Sequence, residues 1–115
     1  MVTKKVINIP IFRSKLKIVV VDDIKEALEI EPNIPPEADS CMLDYGEGRV
    51  MVIIASNDMS TIAHECLHVK NAVWARIGYS PNAINDEVDA YLLDYIITEV
   101  LKVVEKHTNK ILLKI

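Results

Sequence analysis

Clusters of lysine and arginine are missing from this sequence, and cysteine is scarce. The basic stretches Lys4-Lys5 and Lys15-Leu16-Lys17 are short, and the net charge is -4. Nucleic-acid binding is therefore not expected, because neutralising a phosphate backbone takes grouped cations. The two cysteines, Cys41 and Cys66, form no Cys-x-x-Cys pair and no disulfide framework. A reduced, cytoplasmic setting is consistent with that usage. No apolar run approaches the roughly 18 residues of a membrane span. The first ten residues contain no long apolar segment of the kind found in signal peptides.

What is present is an ordinary globular composition. Half the 115 residues are hydrophobic and 26% are charged, which argues against disorder. The length suits one domain over residues 1–115, with one core and no room for a two-lobed protease cleft.

Residues Lys5 to Phe12 and Leu16 to Val21 read as strands. Asp22-Asp23 offers a cap for a short helix, Ile24 to Ile30, and Pro32, Pro35 and Pro36 then impose a loop. Cys41 to Tyr45 and Arg49 to Ala55 read as a hairpin turning at Gly46-Glu47-Gly48. Val50 to Ile54 is apolar throughout, as in a strand buried on both faces.

Ser56, Asn57, Asp58 and Ser60 supply capping groups for a helix that reaches Ile77, with Gly78 as its stop. Ile62, Cys66, Val69, Val73 and Ile77 form its apolar stripe, which makes Cys66 a small buried hydrophobe. After Ser80-Pro81-Asn82, a second long helix is expected from about Ile84 to His107. Its stripe is Ala90, Leu93, Ile97, Leu101 and Val104. Thr108 to Ile115 reads as an extra strand or a frayed end.

The chemistry is concentrated in His64-Glu65-Cys66-Leu67-His68. On a helix, His64 and His68 are about 40° apart and one turn removed. Two imidazoles so placed can reach one zinc ion at about 2.0–2.1 Å. Glu65 is placed to take a proton from zinc-bound water and pass it to a leaving group. A catalytic zinc needs a third protein ligand. Asn85-Asp86-Glu87 opens the second helix, and Glu87 shares a face with Tyr91 and Asp94. Asp86 is a rival, lying in line with the Ala90, Leu93, Ile97 stripe.

His64-Glu65-x-x-His68 followed by Glu87 resembles the gluzincin branch of zinc peptidases, whose third ligand is a Glu on a downstream helix. Ala90 and Tyr91 match the small and polar residues that follow that Glu, which favours Glu87 over Asp86. Asp86-Glu87-Val88-Asp89-Ala90-Tyr91 makes the chain most similar to the minimal zincins of tailed phages and prophages. The resemblance covers about residues 40 to 97. It implies an α+β fold, with a small mixed sheet packed against the motif helix and a second long helix. It also implies Zn2+ held by His64, His68 and Glu87. The implied activity is that of a metallopeptidase acting on a peptide or protein, in the cytoplasm of a bacterial host. Glu65 is its general base, and Tyr91 or Asp94 steadies a ligand or the oxyanion. In zincins the strand before the motif helix also holds the substrate, which here would be Arg49 to Ala55 if one edge is open. Cys66 is an unusual middle residue, and the larger C-terminal lobe of typical gluzincins is missing.

Two other readings compete. One is a phage structural or host-interaction protein that binds zinc without useful hydrolysis. The other is a zinc hydrolase acting on a non-peptide amide. Elsewhere, His107 reads as a favourable charge at a helix end, Trp74 and Tyr95 as packing, and Glu26, Glu29 and Glu31 as a solvated face.

Overall fold

A computed structural model of the chain describes residues 1–10, 12–35 and 38–109. Its centre is a pair of parallel strands, β2 (Ser14–Val21) and β4 (Arg49–Ile54). Both are rich in Val and Ile, which suit a pleated, covered surface. β1 (Val2–Ile9) pairs antiparallel with β2, and β3 (Ser40–Gly46) pairs antiparallel with β4. The order is β1-β2-β4-β3, so the sheet is mixed, as expected. Two long helices follow, α1 (Met59–Ile77) and α2 (Glu87–Thr108). The fold is thus α+β.

β1 starts and ends earlier than Lys5 to Phe12. Its register runs from Val2 opposite Val21 to Ile9 opposite Ser14. Pro10 has no N–H to extend the ladder. The segment after β2 is a 3-10 helix, Ile24–Glu29, with Asp23 as N-cap and Glu26 closing a capping box.

Both helices lie on one face of the sheet. Leu16, Ile18, Val20, Val52 and Ile54 pack there against Ile62, Cys66, Val69 and Val73 of α1 and Ile96, Val100 and Val104 of α2. Each such Ile, Leu or Val contributes about 1.5–3 kcal/mol of burial. The other face is covered over part of its area. There Val19, Val21, Met51 and Ile53 pack under Ala27 and Ile34. β2 records the difference: its first residues alternate buried and open, and its last four are all buried.

β4 is buried along its apolar run, as its composition implies. It is also hydrogen-bonded on both sides, by β2 and β3. It therefore cannot be the substrate-holding edge expected over Arg49 to Ala55. Among the described residues, the open edges of the sheet are β1 and β3.

Asp58 caps α1 by accepting from the Ser60 N–H, and Gly78 ends it in the left-handed conformation at φ 73°. Ile77 leaves the expected stripe and is exposed, because the chain turns away at Gly78. The start of α2 moves from Ile84 to Glu87. An Asn82–Asn85 bridge and an Ile84 N–H bond to Asn82 Oδ1 fold the preceding residues into a turn, leaving Ile84 95% exposed. The buried seam of α2 is Leu92, Ile96, Val100, Leu101, Val103 and Val104. It is rotated from the expected stripe. Leu93 and Ile97 only flank the core, and Ala90 is exposed.

His107 is buried, not a solvated end charge. Its Nδ1 lies 2.8 Å from Thr3 Oγ1 and its Nε2 lies 2.8 Å from Asp22 Oδ1, tying α2 to β1 and the end of β2. The hydrogen bond to His107, followed by that from the Met1 amine, holds the Asp22 carboxyl below its usual range. The acidic face is not uniformly solvated either. Glu31 is buried, accepting from Tyr45 Oη at 2.6 Å and the Asn33 N–H at 3.1 Å. α2 includes Thr108, and Asn109 caps it in the left-handed region. The rest of the expected tail lies outside the described residues.

Candidate metal centre

His64 and His68 project from the solvent side of α1, opposite its buried stripe. Their rings stand nearly perpendicular, at 79° with centroids 4.8 Å apart. The two Nε2 atoms converge to 3.2 Å. Two nitrogens bound at 2.0–2.1 Å to one tetrahedral zinc would be about 3.3 Å apart. The pair therefore has a separation and a donor chemistry that suit zinc. In the metal-free state, one neutral ring can donate to the other across the same gap.

Glu65, between them in sequence, lies on the buried side of the helix. It is only 7% exposed, and its Oε2 accepts from Ser40 Oγ at 2.8 Å. Ser40 begins β3, so the carboxylate sits between the motif helix and an open edge of the sheet. Cys66, next in sequence, is fully buried, and burial followed by the Glu65 charge pushes its thiol up to about 12. Burial, then Glu65 and Glu31, also raises Cys41. Both thiols are poor nucleophiles.

The third ligand is not gathered with the histidines. Among the described residues, no group of three or more His, Cys, Asp and Glu side chains is placed to hold a metal ion. Glu87 and Asp86 are both exposed at the start of α2. Asp86 makes no capping hydrogen bond through its side chain. Tyr91 is 68% exposed and lines a shallow apolar groove with Ile9, Pro10, Phe12 and Val88. Asp94 is exposed as well.

A polar contact that the sequence reading missed joins the two helices. Lys70 Nζ lies 2.7 Å from Asp89 Oδ1, with the lysine side chain only 7% exposed. Trp74 Nε1 donates to the same oxygen at 2.6 Å. Burial pushes the Asp89 carboxyl up, but Lys70 and Trp74 outweigh it and leave the group below its usual value. Lys70 falls four residues after Cys66 and four before Trp74, on the inner arc of α1. A cation at that spacing was the available signal for a buried partner. Trp74 is packed, as expected, edge-on to Phe12 at 5.0 Å and against Tyr79 at 4.5 Å.

Compared with models of known families, with curated proteins and with solved structures, the chain matches none. Among the described residues no helix is long and apolar enough to cross a membrane.

Proposed function

We propose that the chain is a zinc-dependent hydrolase acting on peptide bonds, with His64 and His68 as the nitrogen ligands and Glu65 as the proton carrier. The observation that supports it most is the convergence of the two Nε2 atoms to 3.2 Å, the spacing of two ligands on one zinc. Glu87 supplies the third donor in this reading. Among the described residues it is not grouped with the histidines, so this reading needs the zinc itself to draw the three donors together.

Zinc, when bound, would polarise the scissile carbonyl and make a water acidic enough to attack near neutral pH. The chain's own residues supply the rest. Ser40 holds one oxygen of Glu65, which leaves Oε1 to take a proton from the water and return it to the departing amine. Among the described residues, β3 has one unpaired edge, and its first residue, Ser40, contacts Glu65. An extended substrate can add there by main-chain pairing, replacing the expected role of β4. Tyr91 is the hydroxyl assigned to steadying a ligand or the oxyanion.

A second reading has its own support. Glu65 is buried and already hydrogen-bonded, as a structural carboxylate would be. The chain would then bind zinc, as a structural or host-interaction protein, without hydrolysis. Incubating a mixed peptide library with wild type, Glu65→Gln and chelator-treated protein, read by mass spectrometry, separates the two. The proposal expects cleavage by wild type alone. Cleavage that needs zinc but survives Glu65→Gln overturns the role of Glu65, and zinc binding with no cleavage of any peptide favours the second reading.

A further inference from the structure

Among the described residues, the outer face of the sheet, away from the long helices, is covered at one end only, by the 3-10 helix and Ile34. At the other end a cavity of about 410 Å3 opens. Lys15, Lys17 and Arg49 line it, with Val6, Ile30 and Met51 supplying apolar wall. Its size falls in the usual range for small-molecule sites, about 300–1,000 Å3.

The cations are arranged unfavourably for a protein with nothing bound. Lys15 and Arg49 are register partners on the neighbouring strands β2 and β4, and Lys17 follows one pleat along, opposite Met51. Adjacent strands are about 4.8 Å apart, and like charges set side by side on them destabilise the sheet. Acidic partners do not relieve this. Among the described residues, none of the three takes part in an ion pair. The carboxylate in the cavity wall, Glu31, is engaged by Tyr45 and Asn33. A chain of net charge -4 thus concentrates beside an apolar wall three cations that are unpaired among the described residues.

We infer that this cavity binds a small organic anion with an apolar body. A carboxylate or phosphate-monoester head is held by Lys15, Lys17 and Arg49, and the body lies on Val6, Ile30 and Met51. The inference does not depend on zinc or on hydrolysis, since the site lies on the other face of the sheet from α1.

Calorimetric titration of the intact protein with octanoate, octyl phosphate, inorganic phosphate and octanol tests it. The first two arms distinguish the head groups, and the last two remove the body or the charge. Saturable binding is expected for octanoate or octyl phosphate, at least about tenfold tighter than for either control, since octanol lacks the charge-assisted contact and inorganic phosphate lacks the apolar body, worth about 0.8 kcal/mol per buried CH2. Lys15→Gln with Arg49→Gln should weaken it by about tenfold or more. The same double variant should melt at a higher temperature than wild type when no ligand is present, because the like-charge pair is gone. No saturable binding of either amphiphile overturns the inference. So does binding that the double variant leaves unchanged, or inorganic phosphate binding as tightly as octyl phosphate.

Discussion

Ser40 Oγ donates to Glu65 Oε2 across 2.8 Å, joining the first residue of an edge strand to the carboxylate between the two motif histidines. Ser40 is a positioning residue in the proposed hydrolysis, because it fixes which oxygen of Glu65 is left for the proton. Ser40→Ala should lower kcat by about tenfold with KM little changed, less than the roughly 10²–10⁴ that general-base help supplies, because Glu65 itself remains. Ser40→Thr, which restores a hydroxyl, should recover most of it. The accompanying stability loss should be about 1 kcal/mol, the usual net worth of one hydrogen bond. A Ser40→Thr variant as slow as Ser40→Ala would remove the positioning role.

Metal content provides a separate check. Protein purified without chelator should carry about one zinc per chain, and His64→Ala or His68→Ala should lose it, because each removes one of a small ligand set. Glu87→Gln should weaken zinc about tenfold or more, with Asp86→Asn weaker in effect, by analogy with other disturbed metal shells. A chelator competition in which Asp86→Asn does the greater damage would reassign the third ligand. Zinc-loaded wild type with no bound metal would end the proposal.

The parts of the fold readable in the sequence were those written in local periodicity. Ile62, Cys66, Val69 and Val73 mark the inner face of α1, and Asp58 and Gly78 close its ends. The apolar run of β4 showed that it is buried. Strand order was not readable, because a run of Val and Ile does not say which neighbour pairs with it. The substrate-holding edge expected over Arg49 to Ala55, on condition of an open edge, thus falls on a strand paired on both sides. Contacts between distant residues were hidden for the same reason. Asp22 meets His107 across 85 positions, and nothing local in either segment marks the pair. Glu31 sits among acids that look solvated, and only the fold of the 3-10 segment brings it under Tyr45. Within the site, helical spacing led directly to the His64–His68 pair. A third ligand on another helix depends on how the helices pack, which spacing alone does not determine.

Stability should fall in acid through Asp89. Its carboxyl is held below the usual value, 3.8, because Lys70 and Trp74 outweigh its burial. A depressed folded value means the stabilising effect is present above the unfolded value and is lost as pH falls through the folded one. Wild type should therefore lose stability below about pH 4, with Asp89→Asn flattening that part of the profile. At pH 7, Asp89→Asn should cost about 2 kcal/mol, below the roughly 3–5 kcal/mol for breaking a fully buried pair, because the aspartate keeps some exposure. Replacing both partners, Lys70→Met with Asp89→Leu, should recover most of the loss. Urea titrations at pH 3 and pH 7 measure both effects, and an unchanged acid profile in Asp89→Asn would place the sensitivity elsewhere.

The hairpin between β3 and β4 offers a comparison of two glycines in the same conformation. Gly46 and Gly48 have φ of 79° and 78°, where an L side chain is strained by about 1 kcal/mol. A Cβ on Gly46 would meet nothing within 4 Å. One on Gly48 would lie 2.5 Å from the Arg13 carbonyl oxygen and 2.6 Å from Arg76 Nε. The Arg13 carbonyl is backbone, and the neighbouring Lys15 N–H is bonded to the Gly48 carbonyl at 2.7 Å, so the turn cannot open without breaking that link. Gly46→Ala should cost about 1 kcal/mol and Gly48→Ala about 3 kcal/mol, the difference being the overpacking term. Arg76 is a flexible side chain and can swing away, whereas the carbonyl cannot. Gly48→Ala should therefore stay about as destabilising in an Arg76→Ala background. If removing Arg76 restores stability, the obstacle is the arginine and the close approach of the Arg13 backbone is not what requires glycine at position 48.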